Sequence, residues 1–106
     1  MIADSSNVKH LTVVENETAV LKCRTDLPIP VLWTYQVPGS NDDDKIYIGE
    51  MVVSKMDRFN VTPTEQGDYD LVIRHVRRMD AGLYFCKQRI GFGPAEPTYN
   101  LTVIGR

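Results

Sequence analysis

Two cysteines, two histidines and one tryptophan are all that 106 residues supply of the scarcer side chains. Each shortage removes a class of function. Zinc centres gather Cys and His at short spacings, whereas His10 and His75 stand alone and Cys23 and Cys86 lie 63 positions apart. The run Asp42-Asp43-Asp44 is not followed by the ordered oxygen ligands of a calcium loop, so neither metal nor cofactor is expected. Positive charge is not in excess. Twelve Lys and Arg against fourteen Asp and Glu give a net charge of -2, which argues against a nucleic-acid partner. No apolar run nears the roughly 18 residues of a membrane span, so membrane attachment would use a part of the protein outside this chain. No secretion signal opens the sequence. Residues 1–7 are expected to be a disordered or expression-derived segment ahead of the fold. Helical periodicity, internal repeats, linkers and low-complexity tracts are also missing. The length suits one domain, expected to occupy 1–106.

What remains is ordinary in amount and regular in arrangement. Hydrophobic residues make up 42% and charged residues 25%, as in a globular domain with a core. Short β-rich runs recur every 8 to 12 residues between turn residues, the pattern of an all-β sandwich. Strands are predicted over 8–15, 18–25, 31–37, 45–49, 58–62, 68–74, 82–89 and 98–104. Because side chains alternate along a strand, each run sorts into an inner and an outer set. Ala19, Leu21 and Cys23 share one side, as do Val31, Trp33 and Tyr35, Tyr69, Leu71 and Ile73, Tyr84 and Cys86, and Leu101 and Val103. Pro28 and Pro30, Pro38-Gly39-Ser40-Asn41, Gln66-Gly67-Asp68, and the loop from Gly91 to Pro97 supply the turns. The Asp42–Asp44 run reads as an extension of the second turn.

The stretch "DAGLYFC" at 80–86 concentrates an acid, a glycine, two aromatics and a cysteine. Two readings fit it: a reactive thiol with an acidic neighbour, or a strand that locks a sandwich. A reactive cysteine needs a base in an electropositive, exposed pocket, and the sequence offers none. A disulfide is the better reading in an oxidising compartment. Asn16-Glu17-Thr18, Asn60-Val61-Thr62 and Asn100-Leu101-Thr102 favour such a compartment, since each is an N-glycosylation acceptor pattern.

Two inward cysteines on separate strands, with an inward Trp33 ten residues after the first, form a pattern that resembles the immunoglobulin fold over nearly the whole chain. "WTYQVPG" at 33–39 is similar to the strand that packs Trp on the disulfide, and "DAGLYFC" to strand F. The resemblance implies a Cys23–Cys86 disulfide between two antiparallel Greek-key sheets, with Trp33 and Leu71 in the core. It implies that Tyr84 bonds its hydroxyl to upstream backbone, and that Arg58 of "DRF" pairs with Asp80. The run "DKIYIGEMVVSK" is long enough for a C′ strand and a short C″ edge, the variable-type pattern. "GFGPAEP" at 91–97 departs from the Phe-Gly-x-Gly bulge of antigen receptors. Counting back from "LTV" puts the Phe position on Ala95, which argues against antibody-like pairing. The opening "HLTVVENETAVLKC" is similar to the first domain of a cell-surface adhesion or recognition receptor.

That resemblance implies binding rather than catalysis, with no catalytic residue. The expected partner is another immunoglobulin-like domain, identical or different, met outside the cell through the face of strands C, C′, F and G. Alternation places Leu32, Thr34, Gln36, Phe85, Lys87 and Arg89 on that face, joined by either Ile46 and Ile48 or Tyr47 from strand C′. Phe92 lies in the adjoining F–G loop. An alternative is a secreted immune module that grips its ligand with the B–C and F–G loops, through Leu27, Pro28, Ile29, Ile90 and Phe92. Asn16 and Asn60 are expected away from the C–C′–F–G face and Asn100 upon it, where a glycan would cover its G-strand side.

Overall fold

A computed structural model of the chain describes residues 8–24, 31–36, 39, 43–48, 51–52, 57–88 and 98–105, with the backbone alone at 43–48, 51–52 and 88. Among these residues the strands are β1 Val8–Val14, β2 Ala19–Leu21, β3 Val31–Gln36, β4 Asp43–Ile48, β5 Met51–Val52, β6 Phe59–Val61, β7 Leu71–Ile73, β8 Gly82–Gln88 and β9 Thr98–Ile104. They form a six-stranded sheet ordered β1-β9-β8-β3-β4-β5 and a three-stranded sheet ordered β2-β7-β6. All neighbours are antiparallel except β1 and β9. In family lettering β3, β4, β8 and β9 are C, C′, F and G. The β5 edge pairs Met51 with Ile48 and Val52 with Tyr47, giving the short C″ strand. No helix among the described residues is long and apolar enough to cross a membrane.

Alternation builds the core. In the small sheet, Ala19, Ile73 and Phe59 lie in one row and Leu21, Leu71 and Val61 in another, and all six are buried. Facing them from the large sheet are Val13, Val31, Trp33, Tyr84, Tyr99 and Leu101. Each fully buried Val, Leu or Ile contributes roughly 1.5–3 kcal/mol of transfer free energy. Cys23 and Cys86 form a disulfide that joins the sheets, with Cα atoms 6.4 Å apart. Trp33 lies directly opposite Cys86 in the β3–β8 ladder and is fully buried. Its indole Nε1 donates to the Tyr69 carbonyl at 2.8 Å, so its one polar atom is satisfied inside the core.

A short 3₁₀ turn, Arg78–Asp80, leads into β8 and fastens the lower corner. Asp80 is 2% exposed. Its carboxylate accepts from Arg58 Nη1 at 2.6 Å, from Arg58 Nη2 at 3.0 Å and from the Arg77 backbone N–H at 2.8 Å. Arg58 Nη1 also donates to the His75 carbonyl at 3.2 Å, beside a left-handed His75 at φ 51. The hydrogen bond to Asp80 raises the Arg58 pKa further, against the opposing effect of burial. The Tyr84 hydroxyl donates to the Asp80 carbonyl at 2.6 Å, and Tyr35 donates to the Ala81 carbonyl at 2.8 Å. Burial drives the Tyr84 pKa far above its usual value, and the Asp80 charge adds to the shift. Gly82 has φ 149, and a Cβ there would sit 2.7 Å from Tyr35 Cε1 and 2.8 Å from the Gln36 carbonyl oxygen. Only glycine fits that close approach.

Several strand limits differ from the sequence expectation. β2 stops at Leu21, because the Cys23 N–H turns to the Asp70 carboxylate at 3.0 Å and Arg24 keeps only an isolated bridge to Asp68. β7 begins at Leu71, because 64–68 close a turn in which Thr64 and Asp68 bond each other. β4 begins at Asp43, so Asp43 and Asp44 extend the C–C′ ladder opposite Gln36 and Tyr35 instead of sitting in a loop. β1 joins the large sheet beside β9 and makes no ladder with β2. Residues 1–7 and 53–56 lie outside the described residues.

Candidate functional site

The two groups that gave "DAGLYFC" a chemical reading are both committed to structure. Cys86 is half of the disulfide, and the Asp80 carboxylate is enclosed by Arg58 and the Arg77 N–H. What remains is the outward side of the large sheet. In β8 the buried residues Gly82, Tyr84 and Cys86 alternate with Leu83, Phe85 and Lys87, all half-buried. In β3 the core set Val31, Trp33 and Tyr35 alternates with Leu32, Thr34 and Gln36. In β9 Tyr99 and Leu101 turn inward, leaving Thr98 and Asn100 outward and half-buried.

The ladders set these outer residues in rows with their register partners on the neighbouring strands. Val8, Thr98, Phe85, Thr34 and Lys45 form one, across β1, β9, β8, β3 and β4. His10, Asn100, Leu83, Gln36 and Asp43 form the next. Lys87 stands opposite Leu32, which in turn pairs with Ile48. Leu32, Leu83 and Phe85 thus make a part-exposed apolar centre on β3 and β8. The Lys87 ammonium lies 5.0 Å from the Phe85 ring centroid, within cation–π distance.

Thr34 is a correction to the sequence reading. It is on the outer side but only 3% exposed, so it offers no contact surface. It sits at the middle of the sheet, flanked by Phe85 on one strand and Lys45 on the other. Its Oγ1 is buried and meets no hydrogen-bond partner among the described residues. A register shift between Trp33 and Thr34 carries the β4 partner from Tyr47 to Lys45 and skips Ile46. Ile48 therefore keeps a register partner in Leu32, while Ile46 is the irregular residue of the ladder. Leu83 was absent from the sequence expectation. The alternation that placed Phe85 outward reaches it two positions earlier. Arg89 and Phe92, with Leu27, Pro28, Ile29 and Ile90 of the two loops, lie outside the described residues.

The sequons occupy three different environments. Asn16 is exposed in the β1–β2 turn at φ 78, a left-handed conformation that Asn tolerates. Asn60 is exposed on the small sheet and hydrogen-bonds Thr62. Asn100 is half-buried on the candidate face, beside Leu83 and His10. In the basic run at 74–78, Val76 is buried, and Arg78 Nε lies 3.7 Å from Glu15, an exposed pair of small energetic weight.

A family model of the immunoglobulin V-set domain matches residues 6–104, nearly the whole chain. The chain belongs to the immunoglobulin V-set family. Rat (Rattus norvegicus) embigin is 26% identical over 96 residues, which are 91% of this chain and 28% of embigin. The chain thus spans little more than a quarter of that relative. Among solved structures, the IG1 of ZIG-8, determined as a homodimer, is similar to it with a TM-score of 0.77 and 18% identity, covering 98% of this V-set domain and 85% of that chain. Dpr1 IG1, determined bound to DIP-eta IG1, gives a TM-score of 0.75 and 22% identity, covering 94% and 92%. Identities this low speak for the V-set fold alone.

Proposed function

We propose that this V-set domain is a recognition module that binds another immunoglobulin-like domain through the outer face of β3, β4, β8 and β9. The observation that carries the reading is the apolar centre Leu32, Leu83 and Phe85, half-buried on the side of the large sheet that turns away from the core. Gln36 and Lys87 border it, giving the apolar middle and polar margin of a protein interface. Ile48 pairs with Leu32 in the β3–β4 ladder and is proposed to take part, as are Arg89 and Phe92. Solved relatives of the fold lend support, because ZIG-8 IG1 forms a homodimer and Dpr1 IG1 is bound to an IG1 of DIP-eta.

The proposed setting is extracellular, on a cell surface or secreted. A disulfide needs an oxidising compartment to persist, and the three acceptor sequons fit passage through the secretory route. Any anchor would belong to a part of the protein outside this domain. Catalysis has no place in the proposal, since the cysteine and the buried acid are both held in structure.

Sedimentation of the glycosylated domain over a wide concentration range, alone and mixed with candidate immunoglobulin ectodomains, tests the reading. Reversible association that Phe85→Ala removes is the expected result. Association indifferent to both Phe85→Ala and Leu83→Thr would reject the face.

A further inference from the structure

The small sheet has one outward row within its paired strands. Ala19, Ile73 and Phe59 face the core, as do Leu21, Leu71 and Val61. Between these inner rows lies Val20, Val72 and Asn60, in register across β2, β7 and β6. Val20 is 44% exposed, among the few large apolar side chains so open in the described residues, and Val72 is half-buried. Exposed Lys22 and Arg74 follow the ends of β2 and β7, so a basic residue stands on each side of the valine stripe. The third member of the row is a glycosylation acceptor. Asn60 Nδ2, the atom that an oligosaccharide would modify, points to the Thr62 hydroxyl at 3.4 Å, with both side chains exposed.

We propose that Asn60 is N-glycosylated and that its glycan lies across Val72 and Val20, covering the stripe and closing this sheet to other proteins. Neighbouring strands are about 4.8 Å apart, so the stripe extends roughly two strand spacings from Asn60. The first two sugars of an N-linked glycan reach that far. Their N-acetylglucosamine rings present C–H faces that pack on aliphatic side chains, while their hydroxyls stay in water. Among the described residues Asn60 is on an edge strand, from which the glycan can fold inward over the sheet. The inference is independent of the recognition face on the other sheet.

The test uses the domain secreted from glycosylating cells. Glycopeptide mapping is expected to find Asn60 occupied. Asn60→Gln and Thr62→Ala both remove the acceptor at exposed positions. Each is expected to raise the fluorescence of an apolar-surface dye several-fold and to increase self-association. Thr62→Ser keeps the acceptor and is expected to behave as the parent. Adding Val20→Thr and Val72→Thr to Asn60→Gln is expected to return dye binding to the parent level. An unmodified Asn60, no gain in dye binding in either acceptor variant, or a gain that survives the valine substitutions would each overturn the proposal.

Discussion

Replacing Arg58 with Met removes the guanidinium that neutralises a carboxylate only 2% exposed, while keeping an apolar stem against Phe59. In the parent, Asp80 accepts two hydrogen bonds from Arg58 and one from the Arg77 N–H. In Arg58→Met only the last remains, and an uncompensated charge stays in the core. Breaking a buried pair in this way costs about 3–5 kcal/mol. The Arg58 side chain is 16% exposed, so water can partly replace it and the lower end applies, about 3 kcal/mol. Domains of this size are stable by only about 5–15 kcal/mol. The loss would lower Tm by roughly 12–24 °C. Asp80→Asn keeps an acceptor for the Arg77 N–H and leaves Arg58 its His75 carbonyl, so it should cost less, about 1–2 kcal/mol. Urea denaturation reads both, with the midpoint falling and the slope unchanged. A loss below about 1 kcal/mol in Arg58→Met, the range of exposed pairs, would refute the buried-charge argument.

Other outcomes follow from the same geometry. Gly82→Ala forces a Cβ against the Tyr35 ring and the Gln36 carbonyl in a conformation that L-residues resist, so denaturation should show a loss of about 2–3 kcal/mol. Raising pH should destabilise the domain. Tyr84 is held neutral by burial, so below about pH 10 its contribution is complete; above that pH the unfolded chain ionises first, and stability falls by about 1.4 kcal/mol per pH unit. Tyr99, raised mainly by burial, adds in the same direction, and the tyrosinate absorbance of these two residues should appear only as unfolding begins in an alkaline titration. Reducing the Cys23–Cys86 disulfide opens a 63-residue loop and should cost about 4 kcal/mol on the chain-entropy estimate, read as a lower urea midpoint in reductant.

Much of the fold was legible because alternation and spacing survive in the sequence. The inner sets containing Leu21, Trp33, Leu71, Tyr84 and Leu101 are buried as their periodicity implied. Sheet membership was less legible. Leu11 and Val13 could have faced the core from either sheet, and it is the backbone ladder with β9 that assigns β1 to the larger one. Acidic Asp43 and Asp44 read as turn residues by composition, yet the β3–β4 ladder extends through both. Thr34 shows where period-2 reasoning stops: alternation gives the side of a sheet, while burial on that side depends on neighbours from other strands. The skipped Ile46 had no sequence signal, since a bulge shifts register without changing composition.

The central claim is that the face bearing Leu32, Leu83 and Phe85 recognises another immunoglobulin-like domain. A multivalent form of the glycosylated domain, which raises weak contacts to detectable avidity, should be screened against a panel of immunoglobulin ectodomains that includes itself. The account predicts binding to a member of the panel that Phe85→Ala abolishes and Val20→Arg, on the opposite sheet, leaves intact. Binding that Phe85→Ala leaves intact and Val20→Arg abolishes would contradict it.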